Sequence, residues 1–100
     1  MAVTSKALAR TAAATSSTTL YTVPSATTTV VTNIVIANTG SSSQTWTITF
    51  DGISIGTSVS ISANSTTVID MKQVLATTKI IAGFASAITV KFHISGVEIV

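Results

Sequence analysis

Thr45-Trp-Thr-Ile-Thr-Phe-Asp-Gly-Ile-Ser-Ile-Gly-Thr-Ser-Val-Ser-Ile61 alternates apolar and small polar residues almost without a break. In an extended chain successive side chains point to opposite faces, so Trp46, Ile48 and Phe50 share one face and Thr45, Thr47 and Thr49 the other. That period belongs to a half-buried strand, not a helix. Asp51-Gly52 lies between two apolar ends and predicts a tight hairpin turn. Both turn positions require φ > 0, which glycine adopts freely and aspartate tolerates. The return arm puts Ile53, Ile55, Val59 and Ile61 on one face, and Gly56 marks a bulge or break in it. A lone hairpin is only marginally stable, so other strands must cover its apolar side.

The same rhythm extends in both directions. Thr18 to Val23 reads as a strand ended by Pro24, which cannot donate to a ladder. Thr28 to Asn38 reads as a long strand, with Val30, Ile34 and Ile36 on one face and Val31, Val35 and Ala37 on the other. Apolar residues on both faces predict a central strand, or one with a partner over its second face. Asn38-Thr-Gly-Ser-Ser-Ser43 is a loop by composition, and Ser62-Ala-Asn-Ser65 a turn. Thr66 to Met71 reads as a strand with Val68 opposed to Ile69 and Met71. Lys72 to Thr78 fits either a helical turn or a loop across the end of a sandwich. Lys79 to Ala85 places Ile80, Ala82 and Phe84 together. Ile88, Val90, Phe92 and Ile94 alternate with Thr89, Lys91, His93 and Ser95, and the parity reverses at Ser95-Gly96, which predicts a bulge there. Seven to eight short strands with almost no helix predict an all-β fold, an antiparallel sandwich of jelly-roll type, with Trp46, Phe50, Phe84 and Phe92 in its core.

The chain has 100 residues, enough for one domain with one thin core. Charged residues are only 8%, while serine and threonine number 34 and supply the polar half of the pattern. A net charge of +2 from five scattered cations makes no basic patch, which argues against a nucleic-acid binder. No apolar run approaches the roughly 18 residues needed to span a bilayer. There are no cysteines, hence no disulfide framework and no thiolate metal site. Residues 1–17 are alanine, serine and threonine with Lys6 and Arg10 and contain no continuous apolar stretch of a secretory signal. Such a segment is either a disordered tail or an arm; the expectation here is an arm, residues 1–17, ordering on a neighbouring subunit, with the domain at 18–100.

Catalytic chemistry is hard to assemble from these residues. His93 is the single histidine, and it is expected on an outward face. A serine–histidine–aspartate relay would need Asp51 or Asp70 beside it, and no nucleophile motif is present. One histidine and three dispersed carboxylates do not make a zinc or calcium site. Asn64-Ser65-Thr66 matches a glycosylation sequon, but so rich a serine and threonine content makes a chance match ordinary, and the segment reads as a turn. Trp46 shares a face with Ile48 and Phe50 and reads as core. Tyr21, opposite Leu20, is the candidate for a surface contact. The expectation is a protein that is not an enzyme and has no cofactor.

Four segments carry a resemblance: Thr18-Thr-Leu-Tyr-Thr-Val-Pro24, Val31-Thr-Asn-Ile-Val-Ile-Ala-Asn-Thr39, Ile61-Ser-Ala-Asn-Ser-Thr66 and Ser95-Gly-Val-Glu-Ile99. Together they are similar to small β-sandwich virion proteins of tailed bacteriophages, which decorate capsids or sit in head or tail fibres. The resemblance spans residues 18–100 and carries no catalytic residue. It implies a structural virion protein, first of all a capsid decoration or cement protein that binds the major capsid protein or another virion protein. It also implies a homo-oligomer, a trimer by preference, assembled into the virion in the host cytoplasm without nucleic-acid or membrane binding. The alternatives are a fibre or tail adhesion module binding host-surface glycan, and a tail joint. Lys6, Leu8, Arg10, Leu20, Tyr21, Val31 and Val35 are the candidate interface residues.

Overall fold

A computed structural model describes residues 2–100. Eight strands follow in order: β1 (Val3–Ala12), β2 (Thr18–Thr22), β3 (Thr28–Asn38), β4 (Gln44–Phe50), β5 (Ile53–Ile61), β6 (Ser65–Leu75), β7 (Ile80–Ala85) and β8 (Val90–Ile99). They form two four-stranded antiparallel sheets, ordered β1-β8-β3-β6 and β2-β7-β4-β5. The partners are nested: β4 with β5, β3 with β6, β2 with β7, β1 with β8. The chain is thus one long hairpin wrapped into a sandwich, which is the jelly-roll topology. Its tip is the turn at Asp51 (φ 53°) and Gly52 (φ 77°), where Phe50 faces Ile53, as the sequence predicts.

The core lies between the sheets. Phe92, Ile94 and Val90 of β8 and Val31, Ile34 and Ile36 of β3 pack against Trp46, Ile48 and Phe50 of β4 and Ile81 of β7. The Trp46 ring lies over Gly56, which has no side chain to obstruct it; a methyl there would be 2.6 Å from the ring atoms Cη2 and Cζ3. The expected irregularity of β5 is present at this point, because Val59 faces Trp46 and Gly56 faces Ile48. Ser58, within the bulge, donates its N–H to Thr47 Oγ1 at 2.9 Å.

Polar groups close the sandwich at each end of β3. At its C-terminal end Asn38, 2% exposed, donates through Nδ2 to the carbonyls of Ser42 (2.8 Å), Ile61 and Ser62 (3.3 Å each). Its Oδ1 accepts from Gly40 N–H and Thr89 Oγ1. One side chain therefore ties three loops together. At the N-terminal end, buried Thr29 meets Tyr21 and Glu98.

Several expectations need correction. Residues 3–12 are not an arm on another subunit: β1 pairs with β8 of its own chain from Val3–Ile99 to Ala12–Lys91, so the domain includes this segment. Backbone pairing orders it where side-chain propensity is weak. In β3, Val31 faces in and Val30 out, because Thr32 is an extra residue in the ladder with β8 and reverses the parity. In β7 the inward residues are Ile81, Gly83 and Ala85, and Phe84 is only half-buried on the outer side. Ile88 is 65% exposed in the turn before β8. β8 itself runs unbroken through Gly96; the extra residues sit on its two neighbours, Leu8 in β1 and Thr32 in β3. The ambiguous Lys72 to Thr78 completes β6 as far as Leu75 and then turns. All four edge strands, β1, β2, β5 and β6, carry a register irregularity.

Candidate docking surface

The two outer faces differ in kind. The outer side of β2-β7-β4-β5 is rich in hydroxyls: Thr47 faces Phe84, Thr49 faces Ala82 and Ser54, and Thr45 faces Ser60. The outer side of β1-β8-β3-β6 is rich in valine. Its rows run Val3–Ile99–Thr28, then Ser5–Val97–Val30–Val74, then Ala7–Ser95–Asn33–Asp70, then Arg10–His93–Val35–Val68, then Ala12–Lys91–Ala37–Thr66. Val3, Val68 and Val74 are 63%, 59% and 66% exposed. Ser95, Asn33 and Asp70 cross the face between the valines of the second and fourth rows, so it presents exposed valines interleaved with polar side chains, a surface suited to contact.

The expected interface residues divide between core and surface. Leu8 and Val31 are buried in the core and cannot form an interface. Leu20 is half-buried against the core, an extra residue in the β2 ladder opposite β7. Val35 and Arg10 belong to one row of the valine-rich face, so the structure brings these two together. Lys6 turns to the inner side and pairs with Glu98 at 3.4 Å. With half of its side chain exposed, it forms a weak surface pair.

Tyr21 is not a free surface aromatic. Its hydroxyl donates to Glu98 Oε2 and accepts from Thr29 Oγ1 at 2.8 Å. Burial raises the phenol's pKa above its ordinary value, and the hydrogen bond to Glu98 raises it further. Glu98 completes this contact from the inner side of β8. It follows Gly96 by two positions and therefore shares its inward face, a parity that becomes usable only once β8 is known to run straight.

His93 stands midway along β8 between Arg10 and Val35, with no carboxylate in its row. Asp51 lies at the β4–β5 turn and pairs with Lys79 at 3.6 Å, and Asp70 is exposed within β6 rather than at its end. Among the described residues no three histidine or carboxylate side chains cluster as metal ligands would. Asn64, at φ 52°, is a turn residue, as read from the sequence. A shallow cleft of about 370 Å³ opens between β5 and β6, lined by Phe50, Ile53, Ile55 and Leu75 with the Asp51–Lys79 pair at its rim. No helix of the described residues is long and apolar enough to cross a membrane. Comparison with protein families, with curated proteins and with solved structures finds no match for this chain.

Proposed function

We propose that the chain is a structural protein of a tailed-bacteriophage virion, a capsid decoration or cement protein that binds the major capsid protein or another shell component. The observation that carries this reading is the exposed valine-rich face of the jelly roll. The resemblance over residues 18–100 points the same way. The low charge suits a piece that works against a surface rather than alone. Each copy contributes a modest contact, and many copies on a repeating lattice, grouped as a homo-oligomer of trimeric type, gain by avidity.

The experiment is a count of this chain's copies in purified particles of the phage that encodes it. Hundreds of copies per particle fit decoration. A handful would instead make it a tail joint, and none would end the virion reading. A second reading, an adhesion module for host-surface glycan, has one observation in its favour. Phe84 is half-buried on the hydroxyl-rich outer face, opposite Thr47 and beside the row of Thr49. Glycan-array binding lost in Phe84→Ala would promote it.

A further inference from the structure

The molecule's few charges are unevenly spent. Of five cations and three carboxylates, Lys6 pairs with Glu98 and Lys79 with Asp51. Arg10, Lys72, Lys91 and Asp70 form no ion pair among the described residues. All four stand on the outer side of β1-β8-β3-β6. Arg10, Lys91 and Asp70 occupy its register rows. Lys72 lies between Asp70 and Val74 on β6, where even-numbered residues face out. The formal net charge of +2 is therefore carried by this one face.

Charge and apolar surface are arranged on that face as in a protein contact. Val35, Val30 and Val97 occupy the two central strands. Arg10 lies on one edge strand, Lys72 on the other, and Lys91 towards one end of β8. Ser95, Asn33 and His93 lie between these valines, so apolar and polar side chains alternate along the face, while the unpaired charges stand towards its margins, as in the rim of a specific interface. Four strands about 4.8 Å apart, each of about ten residues rising 3.3 Å, give a footprint of roughly 600 Å² before side-chain relief is counted. That approaches the area of about 800 Å² that each partner contributes to a standard interface. β-Branched side chains have little rotamer freedom to lose on being covered.

We propose that this face is the docking surface, and that its partner is a protein surface that presents apolar side chains together with an excess of carboxylates. The proposal rests on the assembly role above and names the side of the sandwich that performs it. A second copy of the chain would set like charges against each other. A nucleic acid would find at most three cations and would press its phosphates against valines, where specific binders commonly make roughly 6–10 phosphate contacts.

The test uses the full chain, isotope-labelled, with a soluble peptide of alternating valine and glutamate as the probe. Polyglutamate of equal charge and a heparin oligosaccharide serve as controls. Chemical-shift changes should centre on Val35, Val68, His93 and Val97 and weaken as salt is raised. Val68→Asp and Arg10→Glu, both at exposed sites, should each weaken peptide binding by about tenfold or more while circular dichroism stays unchanged. Arg10→Gln, which removes the charge without reversing it, should fall between. The proposal is overturned if the peptide does not bind, or if the shifts fall on the Thr47–Phe84 side. It is equally overturned if heparin binds as well as the peptide, or if light scattering shows self-association through this face that grows with salt. Particles lacking the chain would end the decoration reading and leave the peptide result standing. Particles rich in the chain, with a peptide that does not bind, would keep the decoration reading and discard this face.

Discussion

Replacing Gly96 with alanine should damage the fold more than its single added carbon suggests. Gly96 faces the core from β8, the strand held between β1 and β3, at the level where both neighbours carry an extra residue. A methyl there would lie well inside contact distance of the Val30 carbonyl oxygen, 3.2 Å from the Val30 carbonyl carbon and 2.9 Å from Leu8 Cδ1. The Val30 atoms are backbone of an adjacent strand, so relief requires the ladder itself to spread. Overpacking of this kind costs about 1–3 kcal/mol. One weakened ladder bond adds roughly 0.5–1.5 kcal/mol, which gives about 1.5–4.5 kcal/mol in all. For a domain this small that lowers Tm by roughly 6–36 °C. Urea unfolding followed by the fluorescence of Trp46, the single tryptophan, measures it. Gly52 supplies the control: its φ is 77° and a methyl would meet nothing within 4 Å, so alanine there costs only backbone strain, about 1–2 kcal/mol. Asparagine, which tolerates that conformation, should recover most of the loss at 52 and worsen it at 96. A loss below about 0.5 kcal/mol for Gly96→Ala would show that β8 and β3 are not held at this spacing, and the reasoning would fail.

Gly56→Ala should displace the Trp46 indole, cost about 1–3 kcal/mol and change the near-ultraviolet circular dichroism, because the ring has a strand beneath it and no flexible end to move. Asn38→Ala should cost about 2–4 kcal/mol by urea titration, since it strands three carbonyls and two donors. Asn38→Asp should be worse, because it turns a carboxylate towards those carbonyls. Tyr21→Phe should cost about 1–3 kcal/mol at neutral pH through the lost bond to Glu98. The phenol's folded pKa is raised above its usual 10.0, so the neutral form is favoured in the fold. That stability is complete below pH 10 and lost as pH rises through the folded value. The urea midpoint should therefore fall in alkali for the wild type and fall less for Tyr21→Phe. Deleting residues 1–17 removes β1 and exposes the flank of β8. A truncated protein with a sharp thermal transition and an unchanged midpoint would contradict the integral role of that strand.

What could be read from the residues follows how local the cause is. The turn at Asp51-Gly52 and the strand before it were legible because alternation and turn chemistry act within a few positions. β1 was not legible, since Val3 to Ala12 has little apolar rhythm and is secured by a backbone ladder to the far end of the chain. Thr32 looks like any threonine of a strand, yet as an extra residue it exchanges the roles of Val30 and Val31. The parity change at Ser95-Gly96 has its cause on the neighbouring strands: the glycine is where their extra residues find room. From the residues alone Tyr21 reads as a surface contact, because Glu98, its partner 77 positions away, cannot be inferred from spacing. The valine-rich face becomes visible only when four strands are placed side by side. Val35 and Arg10 lie in the same row, although nothing in their separation along the chain suggests it.

The irregular margins of both sheets matter most when the molecules are crowded together. A straight outermost strand offers a row of free amides and carbonyls on which another chain can continue the sheet, and such growth has no natural stopping point. Here each margin is kinked where one strand holds more residues than its neighbour, so a second molecule brought edge to edge meets mismatched spacing and cannot stay in step. A protein this low in charge has little repulsion to keep its copies apart. Its protection against fibre formation is therefore geometric, and straightening the kink at Leu8 by deleting one residue of β1 would be the shortest route from a discrete building unit to an aggregating one.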